Sequence, residues 1–255
     1  MLAEAFPSTD ELVKWPNWFG PTDSWYGFNK VAFLTLLAVL IPVVIYLIAG
    51  SKYRRGLVPR GIQTVAESAI DLVEKQVILP TMGAEGMTFL PLLLSMFLFI
   101  FIGNLFGIIP TAQFGANARM GNPLVLALLS WVVFIGVGIK HHGLKYFWDA
   151  INPPGVPAAL KLLVVPIELI SVFIVRPFSL AIRLFANSLA GHILLVTFAV
   201  LTVQVFTRSA ALVILPFTFA GLVAFTAFEL MVAFLQAYVF TLLTGVYIGS
   251  SIHLH

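Results

Sequence analysis

Residues 161–205 read KLLVVPIELISVFIVRPFSLAIRLFANSLAGHILLVTFAVLTVQV, 45 residues broken after Lys161 by only Glu168, Arg176 and Arg183. After Phe206-Thr207-Arg208 the chain resumes as Ser209 to Ser250, interrupted only by Glu229. One continuous helix of the first run would be about 68 Å long, roughly twice the ~30 Å hydrocarbon core of a bilayer. Each run is too long for one upright span, and neither contains a clear turn. Two readings fit. The more economical is a pair of long helices forming a steeply tilted hairpin against a curved partner. The other is two shorter upright spans in each run, joined near Pro177 and Pro216.

The rest of the 255 residues agrees with a membrane setting. Hydrophobic residues make up 60% and charged residues 10%, against roughly 25% charged in a soluble domain. With a mean hydropathy of +1.02, there is too little polar surface to cover a water-facing globule. The absence of cysteine excludes disulfides, thiolate metal sites and cysteine nucleophiles. A net charge of +3 does not point to nucleic acid, because the basic residues are sparse and flank membrane segments.

Residues 1–29 hold Glu4, Asp10, Glu11 and Asp23 against one Lys14, with several tryptophans between them. The stretch lacks the basic start and apolar core of a signal peptide and reads as an extracytoplasmic lead-in at a bilayer surface. A membrane domain follows over 30–255. Its first helix is expected at about 30–50, around Pro42, and Lys52, Arg54, Arg55 and Arg60 come directly after it. The positive-inside rule makes that side cytoplasmic and the N-terminus external. At about 61–78, Ile62, Val65, Ala69, Val73 and Val77 recur at spacings of three and four, with Glu67, Asp71, Glu74 and Lys75 opposite. That is an amphipathic helix suited to the membrane surface. Spans at about 88–110 and 122–140 come next, separated near Arg119. Gly103 and Gly107 form a small-xxx-small pattern that would let another helix approach. Lys140, His141, His142 and Lys145 return the chain to the cytoplasm, and Asn152-Pro153-Pro154-Gly155 marks an irregular connector. The long helices at about 161–205 and 209–250 complete an all-α integral membrane protein with a cytoplasmic C-terminus.

Glu168, Arg176, Arg183, His192 and Glu229 all stand inside the long runs. One buried arginine costs roughly 2.5–3.5 kcal/mol on insertion scales, so intramembrane ionisable groups mark ion or proton pathways by default. A structural ion pair could account for one Arg and one Glu, but five such groups exceed what packing needs. Arg176 and Arg183, seven apart, share a helix face, and Asn187 joins them. His192 is nine beyond Arg183 and faces the opposite way, while Glu229 and Gln236 share a face of the second run. Histidine and a buried carboxylate suit a proton relay. Arginine stays protonated and suits a fixed barrier charge. No Gly-rich phosphate loop, His-Glu-x-x-His zinc pattern or Gly-x-Ser-x-Gly elbow is present, and neither a metal nor a cofactor is expected.

The segment RPFSLAIRLFANSLAGH, Arg176 to His192, resembles the signature of the subunit a family of F-type ATP synthases. The segment LQAYVFTLLTGVY, Leu235 to Tyr247, resembles that family's C-terminal motif. The resemblance implies a non-catalytic stator subunit of the CF(0) sector. Such a subunit lies against a rotating c-ring, together with peripheral-stalk b subunits and the rest of the ATP synthase complex, in a bacterial plasma membrane and in contact with its lipids. It implies two aqueous half-channels that couple proton flow to ATP synthesis. Arg183 would be the arginine between them, with Asn187, His192, Glu229 and Gln236 near it or along the outer channel, and Glu168 and Arg176 nearer the inner one. Some members carry a carboxylate where His192 stands and a histidine where Glu229 stands, so the pair is exchanged here. Two other classes fit the residues less well. A secondary proton-coupled transporter usually shows internal repeats, which this chain lacks. An intramembrane hydrolase would need a nucleophile facing His192, and neither Ser179 nor Ser188 does so.

Overall fold

A computed structural model describes residues 17–19, 28–53, 61–109, 112, 114–152, 158–207 and 214–253. Most of the acidic lead-in, Arg54, Arg55, Arg60, the Pro153–Pro157 connector and the Arg208 turn lie outside the described residues. The described elements are helical except for one small ribbon. Among them, five helices are long and apolar enough to cross a membrane, and the chain is an all-α integral membrane protein. With no water in a bilayer core to satisfy backbone groups, helices that satisfy their own are the form such apolar runs take.

The ribbon, which sequence reading did not anticipate, pairs β1 (Asn17–Phe19) antiparallel with β2 (Phe28–Asn29). Trp18 packs on Phe28 and on Phe33 of the first helix, α1 (Lys30–Tyr53). Asn29 starts that helix, its Oδ1 accepting the Ala32 amide at 3.0 Å. Pro42 sits inside α1 without ending it.

A helix stands where the amphipathic one is expected, as α2 (Ile62–Val73), but it does not stop near residue 78 as an isolated element. It runs on through a π-helical turn (Glu74–Ile78), a short α turn and a 3₁₀ segment (Gly83–Phe89) into α3 (Leu90–Ile108). Its apolar stripe is also split. Gln63, Ala66, Val73 and Val77 are buried, whereas Ile62 and Val65 are exposed. Gln63 tolerates burial because its Nε2 donates to Glu67 at 3.0 Å. After α3 come α4 (Gly121–His142), α5 (Lys145–Ile151) and α6 (Ala158–Ile170), then a second π turn (Ser171–Val175). The long helices α7 (Arg176–Thr207) and α8 (Leu215–Ile252) follow.

Both π turns have the same local cause. Proline has no N–H, so Pro80 and Pro177 cannot bond the carbonyls of Gln76 and Phe173 four residues back. The chain widens just before each one, with Leu79 bonding Glu74 O and Arg176 bonding Ser171 O, five residues back. Neither candidate breakpoint divides its run into two spans. The helical run continues unbroken from α6 through the π turn and Pro177 into α7, and Pro216 is the second residue of α8, where a missing N–H costs no helical bond. At 32 and 38 residues, these helices reach about 48 and 57 Å.

The chain divides into two compact units. One takes in Met1–Ile41, Phe99–Arg119 and Phe185–Gln236; the other comprises Pro42–Leu98, Met120–Leu184 and Ala237–His255. In the first, Leu34, Ala38, Phe106 and Ala112 form a core, and Val31, Phe114 and Ala118 form a second. Here α7 and α8 run antiparallel as a hairpin: Asn187 meets Gln236, Gly191 meets Glu229, and Phe198 meets Gly221 and Phe225. Gly103 and Gly107 admit the loop at 115–117 rather than a second helix.

In the second unit, the end of α8 carries small and hydroxyl residues that let backbones close in. Gly249 lies against the Thr81 carbonyl, Ser130 Oγ donates to Thr244 at 3.1 Å, and Tyr146 hydrogen-bonds Ser251 at 3.1 Å. Gly143 ends α4 at φ +63°, a conformation that favours glycine, and turns the chain so that Tyr146 comes back over Gly138. A Cβ on Gly138 would overlap the Tyr146 ring, whereas one on Gly136, half a turn away, would meet open space. Gly138→Ala is therefore expected to destabilise the detergent-solubilised protein by about 1–3 kcal/mol through overpacking. Gly136→Ala should be neutral or stabilising by up to ~1 kcal/mol. Equal thermal shifts for the two variants would contradict this packing.

Candidate functional site

The ionisable and amide groups of the long helices collect in two clusters, one in each unit. In the second unit, Arg176 Nη2 donates to Glu168 Oε1 at 3.4 Å, with both side chains about a third exposed or less. Eight residues of regular helix would set these two about 80° apart. The intervening π turn adds one residue to a turn, so the spacing acts as seven and the groups fall on one face. The guanidinium also lies over the Tyr247 ring, 5.2 Å from its centroid, and Tyr247 packs on Phe134. Seven residues before Arg183, Arg176 shares that residue's helix face but not its exposure. Instead, its side chain is half-buried against Glu168 and α8.

Arg183 belongs to the same unit. Leu180, Ala181 and Leu184 beside it are buried, whereas Arg183 itself is exposed. Among the described residues, no carboxylate lies within ion-pair distance of it.

The other cluster lies inside the α7–α8 hairpin. Asn187 Nδ2 donates to Gln236 Oε1 at 2.6 Å, and Gln236 is only 4% exposed. Its own Nε2 is buried and makes no hydrogen bond among the described residues. His192, likewise 4% exposed, meets the Phe114 ring edge-on, with centroids 5.1 Å apart and planes at 74°. Glu229 is half-buried and packs directly against Gly191, where any side chain would overlap its carboxylate. The structure thus pairs Asn187 with Gln236 and sets Glu229 against Gly191, next in sequence to the buried His192, along the α7–α8 hairpin. Chemically, the cluster supplies a carboxylate, an imidazole and two amides, groups that can take, pass or orient a proton. No three His, Cys, Asp or Glu side chains come together among the described residues.

Sequence reasoning missed Phe114, Tyr247 as the ring beneath Arg176, and Gly191. The signal for Gly191 was its place beside His192 within a long apolar run. No periodicity marks Phe114, because it lies in an irregular loop.

The ATP synthase A chain family matches residues 31–249, which include every residue of both clusters. "ATP synthase subunit a" of Rhodococcus erythropolis is 46% identical over 89% of this chain and 84% of its own length. The protein of that name from Frankia alni is 42% identical over 95% of this chain and 84% of its own. That from Rhodopseudomonas palustris is 42% identical over 89% and 91%. A match across nearly the whole chain, with the buried polar hairpin inside it, places this protein in the ATP synthase subunit a family.

Proposed function

We propose that the chain is the proton-conducting stator subunit of an ATP synthase. On this reading, α7 and α8 pack as a tilted hairpin against a rotating c-ring, in a complex that includes peripheral-stalk b subunits. The observation that carries it is the division of polar groups along α7. Arg183 is exposed and has no ion-pair partner among the described residues, whereas His192 is buried. Nine residues of continuous helix turn these two positions 180° apart. An arginine that cannot lose its proton, presented outward, suits a carboxylate carried past it by another subunit. It would also block protons from crossing directly between two half-channels.

His192, Glu229, Asn187 and Gln236 then serve the half-channel open to the outside. Glu229 and His192 take and give protons, while the Asn187–Gln236 pair orients them without titrating. Glu168 and Arg176 serve the inner half-channel, their pairing supported by the π turn. The basic residues after α1 and α4 support an N-terminus outside and a C-terminus in the cytoplasm of a bacterial plasma membrane, with residues 1–29 extracytoplasmic and α2 lying on the membrane surface. Co-purification tests the placement: a stator subunit should come out of the membrane with a c-ring, and a secondary transporter should come out alone.

Two kinetic outcomes follow. Arg183→Lys should abolish proton-driven ATP synthesis in inverted vesicles while leaving the complex assembled, since an ammonium differs in reach and can deprotonate when desolvated. Wild-type synthesis by that variant would remove Arg183 from the barrier. His192→Ala and Glu229→Ala should each slow proton translocation, and the exchange His192→Glu with Glu229→His should recover part of the lost rate. A double exchange no faster than the slower single variant would show that the two do not share a channel.

A further inference from the structure

We propose that the buried segment Phe114–Ala118 is a positioning element for His192, with Phe114 holding the imidazole and Asn117 fixing the segment in place. The proposal rests on the half-channel reading of His192 given above. Irregular backbone at membrane depth is tolerated only where protein or a watery cavity surrounds it. Here Phe114, Ala116 and Asn117 are 0% exposed and Ala118 is 1% exposed.

The segment is tied down on one side. Asn117 Nδ2 donates to Asn104 Oδ1 at 2.9 Å and to the Ile100 carbonyl at 3.4 Å. The Ala116 amide donates to Gly103 O at 2.9 Å, and the Ala118 amide to Gly115 O at 3.0 Å. On its other side the segment meets α7. A Cβ on Gly115 would sit 2.7 Å from Ser188 Oγ, one turn before His192, so glycine lets the segment reach the helix. Phe114 then meets the imidazole edge-on. An imidazole swings about two torsions, and its direction decides which neighbour each ring nitrogen can serve. A rigid aromatic wall anchored to α3 restricts that swing, as a supporting shell must if a relay group is to stay in register.

The test is a double-mutant cycle on proton translocation by the intact complex in inverted vesicles. Phe114→Leu should slow translocation about tenfold when His192 is present, a coupling typical of residues in contact. In a His192→Ala background, the same change should cost nothing further. Phe106→Leu, which trims another buried ring of the same unit, should act equally in both backgrounds. Should Phe114→Leu fail to assemble, Phe114→Met, which keeps most of the volume without the ring, decides in its place. Asn117→Ala should reproduce the dependence on His192. An equal loss in both backgrounds would reduce Phe114 to packing and overturn the proposal. Wild-type translocation by His192→Ala alone would instead overturn the half-channel reading of His192, and this proposal with it.

Discussion

A carboxylate inside an apolar hairpin needs both room and polar company, and Gly191 gives Glu229 the room. Any larger residue at 191 would collide with that carboxylate, so the distance between α7 and α8 is set where an ionisable group must fit. The remaining hairpin contacts follow from this approach. One turn towards the start of α7, Asn187 reaches Gln236; two turns the other way, Phe198 closes on Phe225 with centroids 4.5 Å apart. Polar groups thus occupy one end of the interface and aromatic rings the other. That gradient suits a channel that admits water over part of its length and is sealed over the rest.

The second unit meets a similar demand by a different route. Arg176 and Glu168 lie on one continuous helical stretch of chain, and their pairing depends on the extra residue that Pro177 forces into the preceding turn. The pair is about a third exposed or less and closed on one side by Tyr247, so both charges keep some access to water while sitting within apolar helices. Such an arrangement costs less than full burial, for which ion-pair attraction seldom compensates.

The membrane class, the long helices and the unusual charges were legible in the sequence, because apolar runs of more than forty residues with so few charges admit few other structures. The continuity of α6 into α7 across Pro177 was not decidable from the run itself, since proline can either break a helix or be absorbed by a π turn. The same ambiguity hid the Glu168–Arg176 pairing, which regular helical counting sets 80° apart. Gly103 and Gly107 read as a helix-packing motif, but the same small surface accepts the loop at Gly115–Asn117, and spacing alone cannot tell these apart. Phe114 was invisible for a related reason. Its place over His192 is set by hydrogen bonds of Asn117 and Ala116 to α3, contacts without sequence periodicity.

The proposed role depends most on α7 showing one face to the ring and the other to a channel. Cysteine cross-linking in this naturally cysteine-free chain measures that directly. A cysteine at position 183, or at Ala186 three residues on and likewise exposed, is expected to cross-link to a c subunit near its carboxylate. One at position 192 should not, and should instead react with small aqueous thiol reagents from outside. Ring cross-linking at 192 as strong as at 186 would contradict the two-faced helix and the half-channel built on it.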